Sequence, residues 1–354
     1  MTHRVAAIDC GTNSIRLLIA DITEQADPER ADSFHPALSS ESLPDETIRM
    51  ERVRSGSASP VTQAPLMLTD LAREMRIVRL GEGVDRTGRL SAAALDRTMT
   101  ALREYAGLIA EAKPNAIRMV ATSATRDAVN SAEFTERVLH VLGVPPEVIS
   151  GDEEAQLSFT GATRELAGTS LATECPPPYL VADIGGGSTE FVLGGADAHS
   201  PIQARSVNIG CVRLTERHLH ADPPIPEQTK ATIADIDAAL DQVAATVPVD
   251  KARTLAGLAG SVTTVAAIAL GLAEYDSARI HHSRISATRV REISASLLAM
   301  TRAERAAIPV MHPGRVDVIG AGALILDRIM TRFSFTEVLV SEHDILDGIA
   351  WSLL

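Results

Sequence analysis

The same phrase is written twice in this chain, once at its start and once past its middle. The first copy reads Val5-Ala6-Ala7-Ile8-Asp9-Cys10-Gly11-Thr12-Asn13-Ser14-Ile15-Arg16-Leu17-Leu18-Ile19. The second reads Leu180-Val181-Ala182-Asp183-Ile184-Gly185-Gly186-Gly187-Ser188-Thr189-Glu190-Phe191-Val192-Leu193. Each is an apolar strand ending in Asp, a Gly/Ser/Thr turn and a second strand, and Asp9 stands to Ser14 as Asp183 stands to Ser188. Such a turn gathers backbone N–H groups and hydroxyls in one small arc, which suits a phosphate. The Asp beside it can hold a hard divalent cation. Two copies so far apart predict two similar half-molecules facing each other across a cleft.

The rest of the chain alternates strands and helices, the pattern of an α/β protein. Leu95, Met99, Leu102, Ala106 and Ile109 place a helix over 91–112, and Pro114 ends it. Residues 117–121 read as a strand. Asn130 with Glu133, and Ser150 with Glu153, have capping-box spacing and open the next two helices. Pro226 suits the first turn of a later helix. The uncharged run from Thr254 to Ala273 is diluted by Gly257, Gly260, Ser261 and Gly271, so it reads as a strand, a turn and a buried helix rather than a membrane span. A final helix is expected at 344–353. The segment from about 25 to 68 is rich in Ser, Pro and acidic residues, without apolar periodicity, and reads as a mobile surface insertion. Order is expected to resume at Arg76.

The net charge of −13 disfavours non-specific binding to DNA or RNA, and 3% aromatic residues leave little for base stacking. An anionic substrate therefore needs a local basic cleft or a bridging metal ion. Three cysteines, Cys10, Cys175 and Cys211, form no C-x-x-C and read as reduced, packed thiols. The N-terminus enters an apolar strand at once without a cleavage-site pattern, so a cytoplasmic protein is expected. The P-loop, dinucleotide, zincin and nucleophile-elbow patterns are all absent.

Asp9 and Asp183 end apolar strands, where an unpaired carboxylate is costly; a bridging Mg²⁺ or a bound water resolves that cost. A third loop offers Gly260, Ser261 and Thr263 as further phosphate contacts. In Ser150-Gly151-Asp152-Glu153-Glu154-Ala155, acids in a first helical turn complement the helix dipole. Glu153 is the capping partner of Ser150, whereas Glu154 has no such local duty and is the better general base. Arg126, between a strand and a helix, can clamp a phosphoryl group through its planar fork; the plain alternative is an ion pair with Asp127 or Asp152. Arg16 and Glu190 occupy equivalent places in the two hairpins. His281-His282-Ser283-Arg284 is either a donor set for the substrate groove or a solvated turn.

These motifs, with Ala121-Thr122-Ser123-Ala124-Thr125-Arg126-Asp127-Ala128, Gly210-Cys211-Val212-Arg213-Leu214-Thr215-Glu216 and Pro313-Gly314-Arg315-Val316-Asp317-Val318-Ile319, resemble the exopolyphosphatase and guanosine pentaphosphate phosphohydrolase family. The resemblance implies two actin-like (ribonuclease H-like) α/β domains with the site between them. The domains are expected at 1–130, with the terminal helix 344–354 returning to the first, and at 131–343. It also implies Mg²⁺-dependent (or Mn²⁺-dependent) removal of a terminal phosphate from polyphosphate or from a phosphorylated guanine nucleotide, by a homodimer. Glu154 becomes the catalytic base, assisted by Arg126. The resemblance assigns phosphate or metal roles to Asn13, Ser14, Gly185, Gly186 and Ser188 with Arg126, and the turn chemistry adds Gly11, Thr12, Gly187, Gly260 and Ser261 as phosphate contacts. The metal falls to Asp183 and Glu190, with Asp9 through water. The insertion departs from the family pattern, and the chain has no room for the C-terminal helical domains of longer members. A nucleotide-binding regulatory protein is the rival of another class, and a sugar or acid kinase a further one, though no acceptor-substrate motif is apparent.

Overall fold

The computed structural model describes residues 2–24, 66–164, 166, 171–195 and 202–354. Its first sheet has five strands: β1 (His3–Cys10), β2 (Ser14–Glu24), β3 (Leu66–Ile77), β4 (Ala116–Ala121) and β5 (Glu147–Val148). Its second has six: β6 (Tyr179–Ile184), β7 (Thr189–Gly194), β8 (Gln203–Val207), β9 (Thr254–Leu258), β10 (Arg284–Ser286) and β11 (Glu337–Val340). The first is ordered β3-β2-β1-β4-β5. The second, read from the other side, is β8-β7-β6-β9-β11 with β10 added at the edge. In both five-strand orders the first two pairings are antiparallel and the last two parallel, and the added β10 pairs antiparallel with β11. The duplicated phrase is thus the centre of a duplicated α/β lobe.

Period-two alternation builds both cores. In β1, Ala6, Ile8 and Cys10 enter one cluster with the helix Ala92–Ala112, while Val5 and Ala7 enter another with the helix Ile345–Trp351. In β6, Leu180, Ala182 and Ile184 face one core and Tyr179 and Val181 the other. Helices on both faces leave the central strands no solvent side, so they read as continuous apolar runs. The Ile345–Trp351 helix lies on the first sheet and crosses the helix Gly151–Thr163, which leans on the second. The crossing is backbone on backbone. A Cβ on Gly161 would stand 1.8 Å from the Asp344 carbonyl oxygen, and one on Gly348 would stand 2.0 Å from that of Leu157.

Three expectations need correction. Regular structure is already present at Leu66, ahead of the expected Arg76: β3 is an edge strand with most side chains exposed, so burial imposed no apolar alternation. The expected insertion otherwise lies outside the described residues. The division at 130 falls inside the first lobe. Phe134 and Val138 of the helix Ser131–Leu142 sit in the first core, and β5 pairs with β4. Only two residues long and exposed, β5 left no pattern to read. Asn130 makes no side-chain cap. Its amide clasps the Leu90 peptide, accepting from the N–H at 2.9 Å and donating to the carbonyl at 3.1 Å.

Among the described residues no helix is long and apolar enough to cross a membrane. Cys10, Cys175 and Cys211 are free and buried, and burial raises the pKa of each thiol.

Candidate active site

The two hairpins meet across a cavity of about 100 Å³. Their geometry matches in detail. Asp9 is paired across its hairpin with Arg16, and Asp183 with Glu190. Each turn closes with a Gly N–H donating to a Ser carbonyl at 3.0 Å, Gly11 to Ser14 and Gly185 to Ser188. The turn carbonyls are already satisfied. Asn13 accepts from Val78 and Arg79, and Thr12 from Gly81. Gly185 accepts from Cys211, and Gly186 from Val212 and Arg213. This bracing fixes each turn before a ligand arrives.

Asp9, Glu154, Asp183 and Glu190 all line the cavity and are 4%, 7%, 7% and 1% exposed, so their charges are poorly solvated. Arg16 answers Asp9, with Nη2 at 2.7 Å and Nε at 3.0 Å from Oδ2, and its Nη1 bonds to Asp344. Burial still raises the Asp9 pKa against the pull of Arg16. Asp183 accepts from the Ser158 hydroxyl at 2.6 Å, and burial, then Asp344, pushes its pKa up to about 6. Glu190 accepts from Ser206 at 2.7 Å and is raised well above the carboxylate range by burial and by Glu154 and Asp183. Asp344 moves the other way: Arg16 and the Leu346 N–H outweigh its burial.

The helix carrying Glu154 starts where Ser150 accepts from the Glu153 N–H at 3.1 Å. The Glu153 carboxylate then pairs with Arg118 at 2.7 Å on the surface, while Glu154 turns into the cavity wall. Burial, partly offset by Arg126, pushes the Glu154 pKa up to about 7.

Of the residues named from the sequence, Asp9, Gly11, Thr12, Asn13, Ser14, Glu154, Asp183, Gly185, Gly186, Ser188, Glu190, Gly260 and Ser261 line the cavity. Two do not. Gly187 packs on the first lobe: a Cβ there would stand 2.6 Å from Ser123 Oγ and 2.7 Å from Thr12 Oγ1. Arg126 donates to the Ile149 carbonyl at 2.9 Å and to Glu154 Oε2 at 3.1 Å, so it holds the carboxylate rather than an open phosphate position. Neither Asp127 nor Asp152 is its partner. Arg284 of the His281–Arg284 stretch pairs with Glu337 at the edge of the second sheet.

Sequence reading missed Thr122, Ser123, Arg315 and Asp344. Thr122 and Ser123 follow β4 as Gly260 and Ser261 follow β9, and that analogy was available. The role of Asp344 was not, because the Asp344–Arg16 pair spans almost the whole chain.

The donor set fits a divalent cation. Asp9 Oδ1 and Asn13 Oδ1 are buried without a protein partner, and four carboxylates share one small cavity. Among the described residues no three His, Cys, Asp or Glu side chains converge on one point. Asp9, Asp183 and Glu190 are therefore not brought together as a three-carboxylate ligand set.

Residues 60–354 match the profile of the Ppx/GppA phosphatase family. Exopolyphosphatase 2 of Mycobacterium tuberculosis is 44% identical, over 99% of this chain and 98% of its own. The guanosine-5'-triphosphate,3'-diphosphate pyrophosphatase of Aeromonas salmonicida is 29% identical over 81% of this chain and 55% of its own. The crystal structure of an exopolyphosphatase-like protein superposes with a TM-score of 0.82 at 40% identity, over 99% of this chain and 98% of the other.

Proposed function

The chain belongs to the Ppx/GppA phosphatase family, and on that footing we propose that it is an exopolyphosphatase, releasing orthophosphate from the end of inorganic polyphosphate with Mg²⁺ (or Mn²⁺). The observation that supports this most is Glu154, a carboxylate with no capping duty, buried in the wall of a cavity flanked by two phosphate-type turns.

Water attacks the terminal phosphorus in line with the departing anhydride oxygen. Glu154 orients that water and takes its proton; a pKa near 7 suits a base working at neutral pH. Arg126 holds Glu154 from behind. The N–H groups of the turns at Gly11–Ser14 and Gly185–Ser188 receive the phosphoryl oxygens, and Gly260 and Ser261 extend that cradle. Asp183 and Glu190, with Asp9 through water, would hold the metal ion, which when bound offsets charge on the non-bridging oxygens. Phosphoryl transfer depends mainly on such positioning and electrostatics.

Replacing Glu154 by Gln should preserve substrate binding and lower turnover by ~10²–10⁴. Undiminished phosphate release by the folded variant would remove Glu154 from its role. Release should also stop in EDTA; activity there would exclude the metal.

One observation favours a second reading, guanosine pentaphosphate. A cavity of about 470 Å³ adjoins the first through Arg16, Gly260 and Arg315, and Met75, Tyr275, Val310 and Met311 give it an apolar side. That lining suits a nucleoside better than more phosphate. Phosphate release from both substrates, measured side by side, decides between them. The net charge of −13 supports a protein that leaves nucleic acids alone. The family resemblance supports a cytoplasmic homodimer, which light scattering tests.

A further inference from the structure

We propose that Arg213 is a positioning residue that latches the phosphate-binding turn of the second lobe to the first lobe and so sets the closed geometry of the cleft. The inference rests on the phosphatase reading above and deepens it. Arg213 belongs to the helix Cys211–His218, which follows β8, and it does not line the cavity. Its guanidinium reaches three separate segments. Nε donates to the Gly187 carbonyl at 2.6 Å, inside the second turn. Nη1 reaches Asp85 at 2.5 Å and Nη2 reaches Asp127 at 2.5 Å, both in the first lobe. A planar guanidinium spreads its donors over several edges and so reaches three acceptors on separate segments, whereas the three donors of a Lys ammonium all radiate from one nitrogen. The Arg213 side chain is 11% exposed, which sets it apart from surface pairs that solvent screens.

The surrounding contacts point the same way. Residues three and four positions apart share a helix face, and here that face meets the first lobe, with Arg217 also paired to Asp235 of the second at 2.6 Å. The Glu216 carboxylate accepts the Gly83 N–H at 3.0 and 3.1 Å, and Arg217 pairs with Asp85 at 2.9 Å. The short helix Ser123–Asp127 then connects the latch to the chemistry. Its Asp127 holds Arg213, its Arg126 holds Glu154 at 3.1 Å, and Ser123 shares a hydrogen bond with Thr12 of the first turn at 2.9 Å. A single element thereby ties lobe closure to the general base and to both phosphate turns.

The test compares wild-type protein with R213A, R213K, D127N and the double variant R213A/D127N. Each is first checked for folding by thermal melting, then measured by small-angle X-ray scattering and by steady-state phosphate release. Loss of the latch should open the lobes, so the radius of gyration of R213A rises. Its kcat should fall by about 10-fold to 100-fold, with a smaller change in KM, as misplacement of a catalytic constellation does. R213K should fall between wild type and R213A. D127N should be milder than R213A because Asp85 remains, and the double variant should be no worse than R213A alone. A folded R213A with wild-type kcat overturns the proposal, as does wild-type scattering whatever the kcat. Should R213A not fold, R213K and D127N report the same quantities and decide it alike. Wild-type protein inactive on polyphosphate and on guanosine pentaphosphate would defeat the phosphatase reading instead, and the scattering comparison would still judge the latch.

Discussion

The β1–β2 and β6–β7 hairpins share register, turn bond and an Asp at the same place, yet they differ at the residue opposite that Asp. The first has Arg16, which neutralises Asp9 and reaches on to Asp344. The second has Glu190, a buried carboxyl beside Asp183 that is met by the Ser206 and Ser188 hydroxyls rather than by a basic side chain. One lobe therefore carries its own counter-charge and the other does not. A duplicated backbone has been given an asymmetric field, and the second lobe's carboxyls, pushed toward their protonated forms for want of a counter-charge, mark the side that most needs a cation.

The largest expected effect separates the two Asp residues. Asp183→Asn should lower phosphate release at fixed Mg²⁺ by at least ~100-fold, whereas Asp9→Asn should cost about 10-fold, the range for residues that act on a metal through an outer shell. Equal losses would break the asymmetry. Next come the residues opposite them. Arg16→Gln leaves Asp9 and Asp344 buried without their cation and should destabilise the fold by roughly 3–5 kcal/mol. Glu190→Gln removes a poorly solvated charge and should leave the melting temperature in EDTA unchanged or raised. A melting temperature that falls equally in both variants would end the comparison.

The smallest effect is on pH. In metal-free protein, Asp183 holds its proton up to about 6, while the unfolded chain releases it near the ordinary 3.8. Glu154, raised to about 7 from 4.5, behaves likewise. Between those limits the folded state binds more protons, so stability contributed by this pair declines as pH rises from about 4 to 7. Asp344, lowered by Arg16, acts in the opposite sense: its contribution is present above the ordinary carboxylate range and is lost as acid protonates it. Melting curves across pH in EDTA should show the decline, and Mg²⁺ should flatten it. A stability that climbs through this window without metal would contradict the buried, cation-poor second lobe.

Much of the architecture was legible because burial leaves a signature. Strands covered on both faces are apolar throughout, and the Ser150 cap distinguishes Glu153 from Glu154 by a single step around the helix. What escaped has a common cause. β3 and β5 are exposed edges with no period imposed on them. Asn130 was read as a cap because its spacing allows it, but its amide found a whole peptide group at Leu90. Arg126 was read as a phosphate clamp because an Arg after a strand often faces a cleft, but here the nearer anion is Glu154. Arg213 stood inside a quoted motif, and nothing local showed that its three acceptors lie on three different segments.

The amino-acid order by itself determined the duplication, the placing of an Asp at each strand end, the phosphate-type turns and the free carboxylate of Glu154, since these depend on neighbours a few positions apart. The tertiary structure alone decided which charges answer which: Arg16 to Asp344, Arg126 to Glu154, and Arg213 to Asp85 and Asp127. Local preference sets backbone shape within a turn or two, whereas the energy of a buried charge depends on whatever groups folding brings within a few ångströms of it.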